Sequence, residues 1–336
     1  MRAFRIAECS GPSGLVRSEE TRPTPGAKEV LIRIRASSIN FRDLMILGSG
    51  HGMKLSSGLI PLSDGAGEVV SLGDRVTRFR EGDRVMPIFN QHWIAGDRPI
   101  NSSALGLGGD GDGTLRDYMV VDQEGLVRIP DHLSFEEAAC LPCAGLTAWS
   151  AVVEKGAVYP GDVVLTQGSG GVSIFALQFA KLFGARVIST SSSDEKCSRL
   201  RYLGANDTIN YVEFPAWDEE VRRLTGGRGA DRVVEVGGAG TLARSFRSVH
   251  ANARIAIVGL LAGAKGGEGF DYVGWVAETF RTAVGSRESF ERMNRAICWH
   301  KLRPVIDRVF AFDNAPAAFG YLQEKKHFGK VVISHA

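Results

Sequence analysis

The chain has 336 residues, 44% hydrophobic and 23% charged, with 41 Gly and 12 Pro, a globular composition with length for two domains, which excludes a disordered or low-complexity chain. Forty Lys plus Arg against 38 Asp plus Glu leave a net charge of +2 without any block of like charges, so neither nucleic acid nor an anionic membrane is an expected partner. No apolar run reaches the roughly 18 residues of a membrane helix, Met1 to Ser10 lacks a signal-peptide core, and five scattered cysteines (Cys9, Cys140, Cys143, Cys197, Cys298) read as free thiols, so a cytoplasmic protein is expected.

In chain order, Glu29 to Arg35 (EVLIRIR) alternates apolar and polar residues as a half-buried strand does, Gly65 to Val70 is strand-like, and Gly82-Asp83-Arg84-Val85 reads as a tight turn entering another strand. The first 125 or so residues are therefore expected to be mostly β. The stretch 101–113 (NSSALGLGGDGDG) reads as a mobile surface loop, too rich in Gly and Ser to pack. Five β-rich runs follow, Val163–Gly168, Arg186–Ser191, Asp207–Tyr211, Asp231–Val236 and Arg254–Gly259, separated by stretches of helical period. Strands buried on both faces and alternating with helices predict an α/β fold with a parallel, doubly wound sheet. Val172, Phe175, Ala176, Phe179 and Phe183 recur at helical spacing and should put one apolar face on that sheet. Lys330 to Ser334 reads as a last strand that returns to the first half.

Gly168-Ser169-Gly170-Gly171-Val172-Ser173 directly follows a predicted strand and opens a predicted helix, the context of a dinucleotide-binding turn. Glycine there lets the backbone bend tightly and approach a pyrophosphate lying at the positive end of the helix. Ser173 replaces the third glycine of the template, which should slightly loosen helix-to-strand packing. At the end of the second strand an NAD-selective site carries a carboxylate for the ribose 2′-hydroxyl, whereas this chain has Ser191-Ser192-Ser193 and then Lys196. Hydroxyls and an ammonium suit a 2′-phosphate, so NADP(H) is expected over NAD(H), with Lys196 as an ordinary surface lysine the other reading. Asp194 and Glu195 read as the solvated first turn of the next helix.

The stretches SSINFRDLMILGSG, PLSDGAGEVVSLGDRVTRFREGDRV, LSFEEAACLPCAGLTAW, the glycine turn, VISTSSSDEK, LTGGRGADRVVEVGG and HFGKVVIS together resemble the medium-chain dehydrogenase/reductase superfamily over nearly the whole chain. Within it they look most like the zinc-independent quinone and enoyl reductase-like branch, commonly labelled zinc-type alcohol dehydrogenase-like. The resemblance implies a GroES-like, mostly-β catalytic domain from residues 1–125 and 303–336, a Rossmann nucleotide-binding domain at 126–302, and an active site in the cleft. It puts Asn40, Ser63 and Cys143 at the positions where zinc-dependent members carry their Cys, His and third ligand, and Asn90 to Gly113 lacks the four cysteines of their second zinc lobe. An amide, a hydroxyl and one thiolate make a poor catalytic zinc site, so no metal is expected and Cys143 would line the nicotinamide pocket.

Without a metal, removing a hydroxyl proton of pKa near ~15.7 is hard, whereas hydride addition to an enone, an enoyl thioester or a quinone leaves an anion that hydrogen-bond donors can hold. The resemblance thus implies an NADPH-dependent reductase of such acceptors. An NADP-dependent alcohol dehydrogenase or carbonyl reductase working through a histidine, and a nucleotide-binding redox sensor with little catalysis, remain the other readings. The reductase branch commonly has Tyr eleven residues after the Asn; here that position is His51, a proton donor or a solvent-exposed loop residue. Asn40 would orient the ribose or a substrate carbonyl, or else satisfy loop backbone; Asp43 reads as a helix cap, and Asp64 as a partner for Arg42. His92 is the second candidate acid. Phe41, Phe89 and Trp93 would contact a flat conjugated substrate, with loop packing the alternative for the last two. By matched position Thr147 would pack by the nicotinamide, Tyr211 near the adenine, and Val236 and Gly237 after the fourth strand. Val258, Gly259 and Leu260 would serve the carboxamide end, and Phe328, Gly329 and Lys330 would return toward the cofactor; each is equally readable as core or turn. Arg281 to Ser286 matches the strand that pairs across a two-fold axis, so a homodimer is expected, with a small molecule as the other partner.

Overall fold

The computed structural model describes residues 1–49, 58–100, 106–259 and 277–336. The elements begin with strands β1 (Arg2–Ile6), β2 (Leu15–Glu19) and β3 (Glu29–Ile39), helix α1 (Phe41–Ser49), and strands β4 (Asp64–Leu72), β5 (Arg84–Pro87), β6 (Tyr118–Asp122) and β7 (Leu126–Arg128). Two helical turns, α2 (Phe135–Ala138) and α3 (Leu146–Trp149), precede an alternation of strands and helices: β8 (Val163–Gln167), α4 (Gly171–Leu182), β9 (Arg186–Ser191), α5 (Asp194–Tyr202), β10 (Asp207–Asn210), α6 (Trp217–Leu224), β11 (Ala230–Glu235), α7 (Leu242–Arg247) and β12 (Val249–Ile257). After β13 (Glu278–Arg281) come α8 (Arg287–His300), β14 (Ile306–Ala311), α9 (Ala315–Gln323) and β15 (Lys330–Ser334).

Two units divide the chain, one of Met1–Leu146 with Gly285–Ala336 and one of Thr147–Val284. These borders lie further along the chain than those implied by resemblance at 125/126 and before them at 302/303, because β7, α2 and α8 group with the strands of the first unit. The class is the expected one: a mostly-β unit and a parallel doubly wound unit.

In the first unit, β14, β15, β3, β4, β5 and β7 form one sheet in that order, with β6 also paired to β3, beside the hairpin-like pair β1–β2. Strand β3 alternates as its sequence predicts only from Ile32 to Ala36: Val30, Leu31 and Ile32 are buried in succession where the register against β4 shifts, and Ser37, Ser38 and Ile39 are again buried in succession. The antiparallel pairing of β15 with β3 matches Val331 to Ile39 and Ser334 to Ala36, which brings Lys330 beside Asn40. A core of Phe4, Ile39, Leu47, Phe312, Phe319 and Ile333 fills the space between that sheet region and α1 and α9. Each such side chain contributes roughly 1.5–3 kcal/mol on burial.

The stretch 106–113 does not behave as the sequence suggests. Leu107, Gly108, Gly109 and Gly113 are buried, and Leu107 bridges to Gly111. A Cβ on Gly113 would come within 2.0 Å of the Leu62 carbonyl oxygen, and one on Gly108 within 2.6 Å of Leu62 backbone. Glycine is there for close backbone approach, so this half of the segment packs; residues 101–105 lie outside the described residues.

The second unit is a six-stranded sheet in the order β10-β9-β8-β11-β12-β13, all parallel. Counted from β8, this is the 3-2-1-4-5-6 order of a dinucleotide-binding fold, with its switch point between β8 and β11. All five residues of β8 are buried, as a central parallel strand requires. Helix α4 presses Phe175, Ala176 and Phe179 into the unit, and Trp149 packs edge-on against Phe179 and Phe183 at ring distances of 5.4 and 5.9 Å. Among the described residues no helix is long and apolar enough to cross a membrane.

Candidate active site

The glycine turn sits where the sheet order reverses, at the carboxyl end of β8. Gly168 adopts φ +73°, and a side chain at Gly168 or Gly170 would project into open space, so this backbone is left clear for a ligand to approach. Gly170 caps the 12-residue helix α4, whose first amides are available to a pyrophosphate. Ser173 does not loosen the packing: its buried hydroxyl donates to the Gln167 carbonyl at 2.6 Å and ties α4 to the end of β8. The second strand ends beside the turn, with Ser191 Oγ 3.4 Å from Ser169 Oγ and the Gly168 amide donating to Thr190 Oγ1 at 3.3 Å. Ser192 is exposed, Ser193 caps α5 by accepting from the Lys196 amide, and Asp194 and Glu195 form the exposed first turn, as expected. Tyr211 is exposed and its amide donates to the Ser191 carbonyl, so it too stands at the end of β9. These residues fit a bound dinucleotide.

A group missed in the sequence holds this region together. The Glu235 carboxylate, fully buried at the end of β11, accepts from Gln167 Nε2 (2.8 Å), Gly237 N (2.7 Å), Gly238 N (2.9 Å), Thr241 Oγ1 (2.6 Å) and Ser245 Oγ. It shapes the turn that carries Val236 and Gly237 and links it to the strand end preceding the glycine turn. The Val258 and Gly259 amides both donate to the Glu235 carbonyl, and a Cβ on Gly259 would meet the Val236 oxygen at 2.5 Å. A buried apolar strand ending in Glu before Gly-Gly is the signal that was available. Leu260 lies outside the described residues. The Thr147 hydroxyl accepts from the amide of Val284, a buried residue held at φ +50°, and Ser150 donates to the Val284 carbonyl.

In the first unit a buried polar cluster surrounds Asn40. Its backbone amide donates to Asp43 Oδ2 at 2.8 Å, which makes Asp43 the cap of α1. Burial raises the Asp43 carboxyl above its ordinary value, against the pull of Arg42. Arg42 pairs with Asp43 at 2.8 Å and donates to the Leu107 carbonyl, rather than pairing with Asp64 as the sequence suggested. Asp64 is instead met by Asn40 Nδ2 (2.9 Å), Ser63 Oγ (2.8 Å), Ser38 Oγ (3.3 Å) and the Lys330 ammonium (3.8 Å). Lys330 Nζ donates to Asn40 Oδ1 at 2.6 Å and to the Ile39 carbonyl at 2.8 Å, so this side chain, matched to the cofactor by resemblance, is engaged inside the first unit. Phe328 is core, and Gly329 takes φ +91° where a Cβ would strike the Val305 carbonyl oxygen.

Phe89 and Trp93 are buried: Phe89 lies under the Arg42 guanidinium at 5.0 Å and Trp93 Nε1 donates to the Gly96 carbonyl, the arrangement of side chains that pack a loop down. Phe41 is half-buried at the start of α1, and His92 is exposed. His51 lies outside the described residues.

The donor set does not suit zinc. Desolvation pushes the Cys143 thiol up, with Asp64 adding to the effect, so a thiolate is disfavoured; Ser63 is spent on Asp64; and the Asn40 oxygen already faces a buried ammonium. Among the described residues no group of three or more His, Cys, Asp or Glu side chains is placed to hold a metal ion.

Two family models match the chain: an alcohol dehydrogenase GroES-like domain over residues 26–131 and a zinc-binding dehydrogenase over residues 171–297. A zinc-type alcohol dehydrogenase-like protein of Schizosaccharomyces pombe is 38% identical over 312 residues, 91% of this chain and 90% of that one. Human quinone oxidoreductase is 27% identical over 261 residues, 77% of this chain and 73% of its own. The crystal structure of an NAD-dependent alcohol dehydrogenase superposes with a TM-score of 0.91 at 34% identity, covering 100% of both chains.

Proposed function

The chain belongs to the medium-chain dehydrogenase/reductase superfamily of oxidoreductases, with a GroES-like domain and an NAD(P)-binding Rossmann domain, and from that premise we propose that it is a metal-free, NADPH-dependent reductase of quinones or of C=C bonds conjugated to a carbonyl. The observation that carries the proposal is the Lys330 ammonium, 3% exposed, bonded to Asn40 and ion-paired with Asp64. A cluster that already holds a cation repels a second, divalent one, and the neutral thiol of Cys143 offers it no charge.

When bound, a reduced nicotinamide supplies a hydride. The work left to the chain is to orient the acceptor and hold the charge that develops on its oxygen, which an amide N–H of Asn40 is suited to do. Oxidising a saturated alcohol asks for a base strong enough for a hydroxyl proton, and nothing in the Asn40 cluster is one. His92, exposed, and His51 are our candidates for returning the proton to carbon. NADPH is favoured by Ser191, Ser192 and Ser193, which stand at the end of β9 where an NAD-selective site carries a carboxylate, and by the ammonium of Lys196, which shares the first turn of α5 with Asp194 and Glu195. We further propose a homodimer through the sheet edge at β13, and a cytoplasmic setting consistent with five unpaired cysteines.

Alcohol dehydrogenation is the second reading, favoured by the names of the yeast relative and of the superposed structure. One assay separates the two: NADPH consumption by protein purified without chelator, with a quinone and a conjugated enone, against NADP-linked oxidation of the matching allylic alcohol, alongside metal analysis. Turnover of the conjugated acceptors by zinc-free protein is the expected result. Turnover of the alcohol alone, or one zinc per chain, would overturn the proposal.

A further inference from the structure

We propose that Asn40 acts as a donor-only amide toward the substrate's carbonyl oxygen, and that Lys330 is the positioning residue that makes it so, clamping the amide together with Asp64. The inference rests on the reductase reading and adds the recognition element to it.

The orientation of the Asn40 amide follows from its neighbours. An ammonium has hydrogens to give and no lone pair to accept, so the atom 2.6 Å from Lys330 Nζ must be the amide oxygen. The nitrogen then faces Asp64 Oδ2 at 2.9 Å. Reversing the amide would set two donors against each other at Lys330, so the orientation is locked.

That lock decides what Asn40 can offer. Its oxygen is consumed by Lys330, and one of the two Nδ2 hydrogens is consumed by Asp64, which leaves a single N–H. Ser38, Asp64 and Lys330 are all buried, whereas Asn40, like Arg42, is only half-buried. Hydrogen bonding at the oxygen draws charge from the amide and strengthens the remaining N–H as a donor. A carbonyl oxygen is accepted on these terms, more so as it becomes an enolate; a substrate hydroxyl presenting its proton finds no acceptor. The clamp depends on the β3–β15 pairing, which sets residues 290 apart in sequence side by side.

The test compares Lys330→Met, Lys330→Arg, Asn40→Ala and the double variant Asn40→Ala/Lys330→Met in the full-length protein. Three experiments are run on each: NADPH affinity by fluorescence, steady-state kcat and KM with a conjugated enone, and binding of 4-nitrophenolate to the NADP-loaded enzyme as a stable oxyanion. Lys330→Met should lower kcat about 10- to 100-fold, somewhat less than deleting an oxyanion-hole donor outright, and weaken the phenolate in parallel, with NADPH affinity held within about twofold. Lys330→Arg should restore most of the loss, and Lys330→Met should add nothing in the Asn40→Ala background, because Lys330 acts only through that amide. Lys330→Met/Asp64→Asn keeps the cluster neutral, so the same phenotype in this better-folded variant excludes simple destabilisation. A loss of NADPH affinity matching the loss of kcat, or independent effects in the double variant, would overturn the inference. Enone turnover with phenolate binding indifferent to Asn40 and Lys330 would sink this inference alone. Phenolate binding that follows the clamp in a protein that reduces no conjugated acceptor would support the clamp and sink the reductase reading.

Discussion

Ser173 Oγ donates to the Gln167 carbonyl at 2.6 Å, so the residue standing where the nucleotide-binding template has glycine is a tie between the helix and the strand that flank the turn. Ser173→Ala should cost about 1 kcal/mol in urea unfolding through the lost hydrogen bond, and Ser173→Gly slightly more because glycine also weakens the helix. An unchanged unfolding midpoint for both would mean that the hydroxyl contributes nothing.

Glu235 is the more consequential anchor. Five donors converge on its buried carboxylate, two of them backbone amides of the turn at Gly237 and Gly238. Glu235→Gln replaces one acceptor oxygen with a donor that has no room to turn away, so unfolding stability should fall by about 3 kcal/mol. Affinity for NADPH should fall about tenfold or more in parallel, as the turn loses the contacts that shape it. Retained stability with the glutamine would show that the network re-forms around the amide.

The strands β9 and β15 are legible to the residue because both are short runs rich in β-branched residues, and the glycine turn is legible because its signal is local. The Asn40 clamp is not legible, since Lys330 reaches Asn40 only through the register of two antiparallel strands 290 residues apart, which no local pattern encodes. Glu235 is hard to read because a carboxylate reads as solvated until its donors are known, and those come from two segments, Gln167 at the end of β8 and the turn from Gly237 into α7. The stretch 106–113 misled for the opposite reason: glycine marks both free loops and backbones that must approach closely, and only the neighbour at Leu62 tells them apart.

The proposed preference for NADPH has a direct check at the end of β9. Ser192 is exposed there and Lys196 lies in the first turn of α5. Lys196→Ala should weaken NADPH about tenfold and leave NADH nearly unchanged, and Ser192→Asp should do the same by repelling the 2′-phosphate. Equal losses for both nucleotides in fluorescence titrations would remove Lys196 from the phosphate site.

Thiol labelling distinguishes the cysteines. Burial pushes Cys140 up to about 12 and also raises Cys143, whereas Cys9 is exposed. At pH 8 roughly one Cys140 in ten thousand is thiolate, the reactive form, and the group is sterically covered as well. Disulfide-exchange labelling of the native protein should therefore show a fast phase that Cys9→Ser deletes, while Cys140 and Cys143 label only after unfolding. Fast labelling of Cys143 would contradict the desolvation that raises its thiol.

His335 gives the fold a pH dependence of known sign. The ring is 4% exposed, stacked edge-on to Phe312 at 4.8 Å and 3.0 Å from Ser37 Oγ, and burial lowers its pKa to about 3 from an ordinary 6.5. Between those values the unfolded chain binds a proton that the folded chain refuses, so stability is complete above about pH 6.5 and declines as pH falls toward 3. At pH 5 this group alone should have removed about 2 kcal/mol relative to pH 8. Other groups titrate in the same range, so the decisive quantity is the difference between wild type and His335→Gln, which can keep a hydrogen bond to Ser37 but takes no proton. The gap in unfolding free energy should narrow by that amount on going from pH 8 to pH 5. A gap independent of pH would mean that His335 is protonated as readily in the fold as out of it, and that its burial is relieved by local opening of the β15 end.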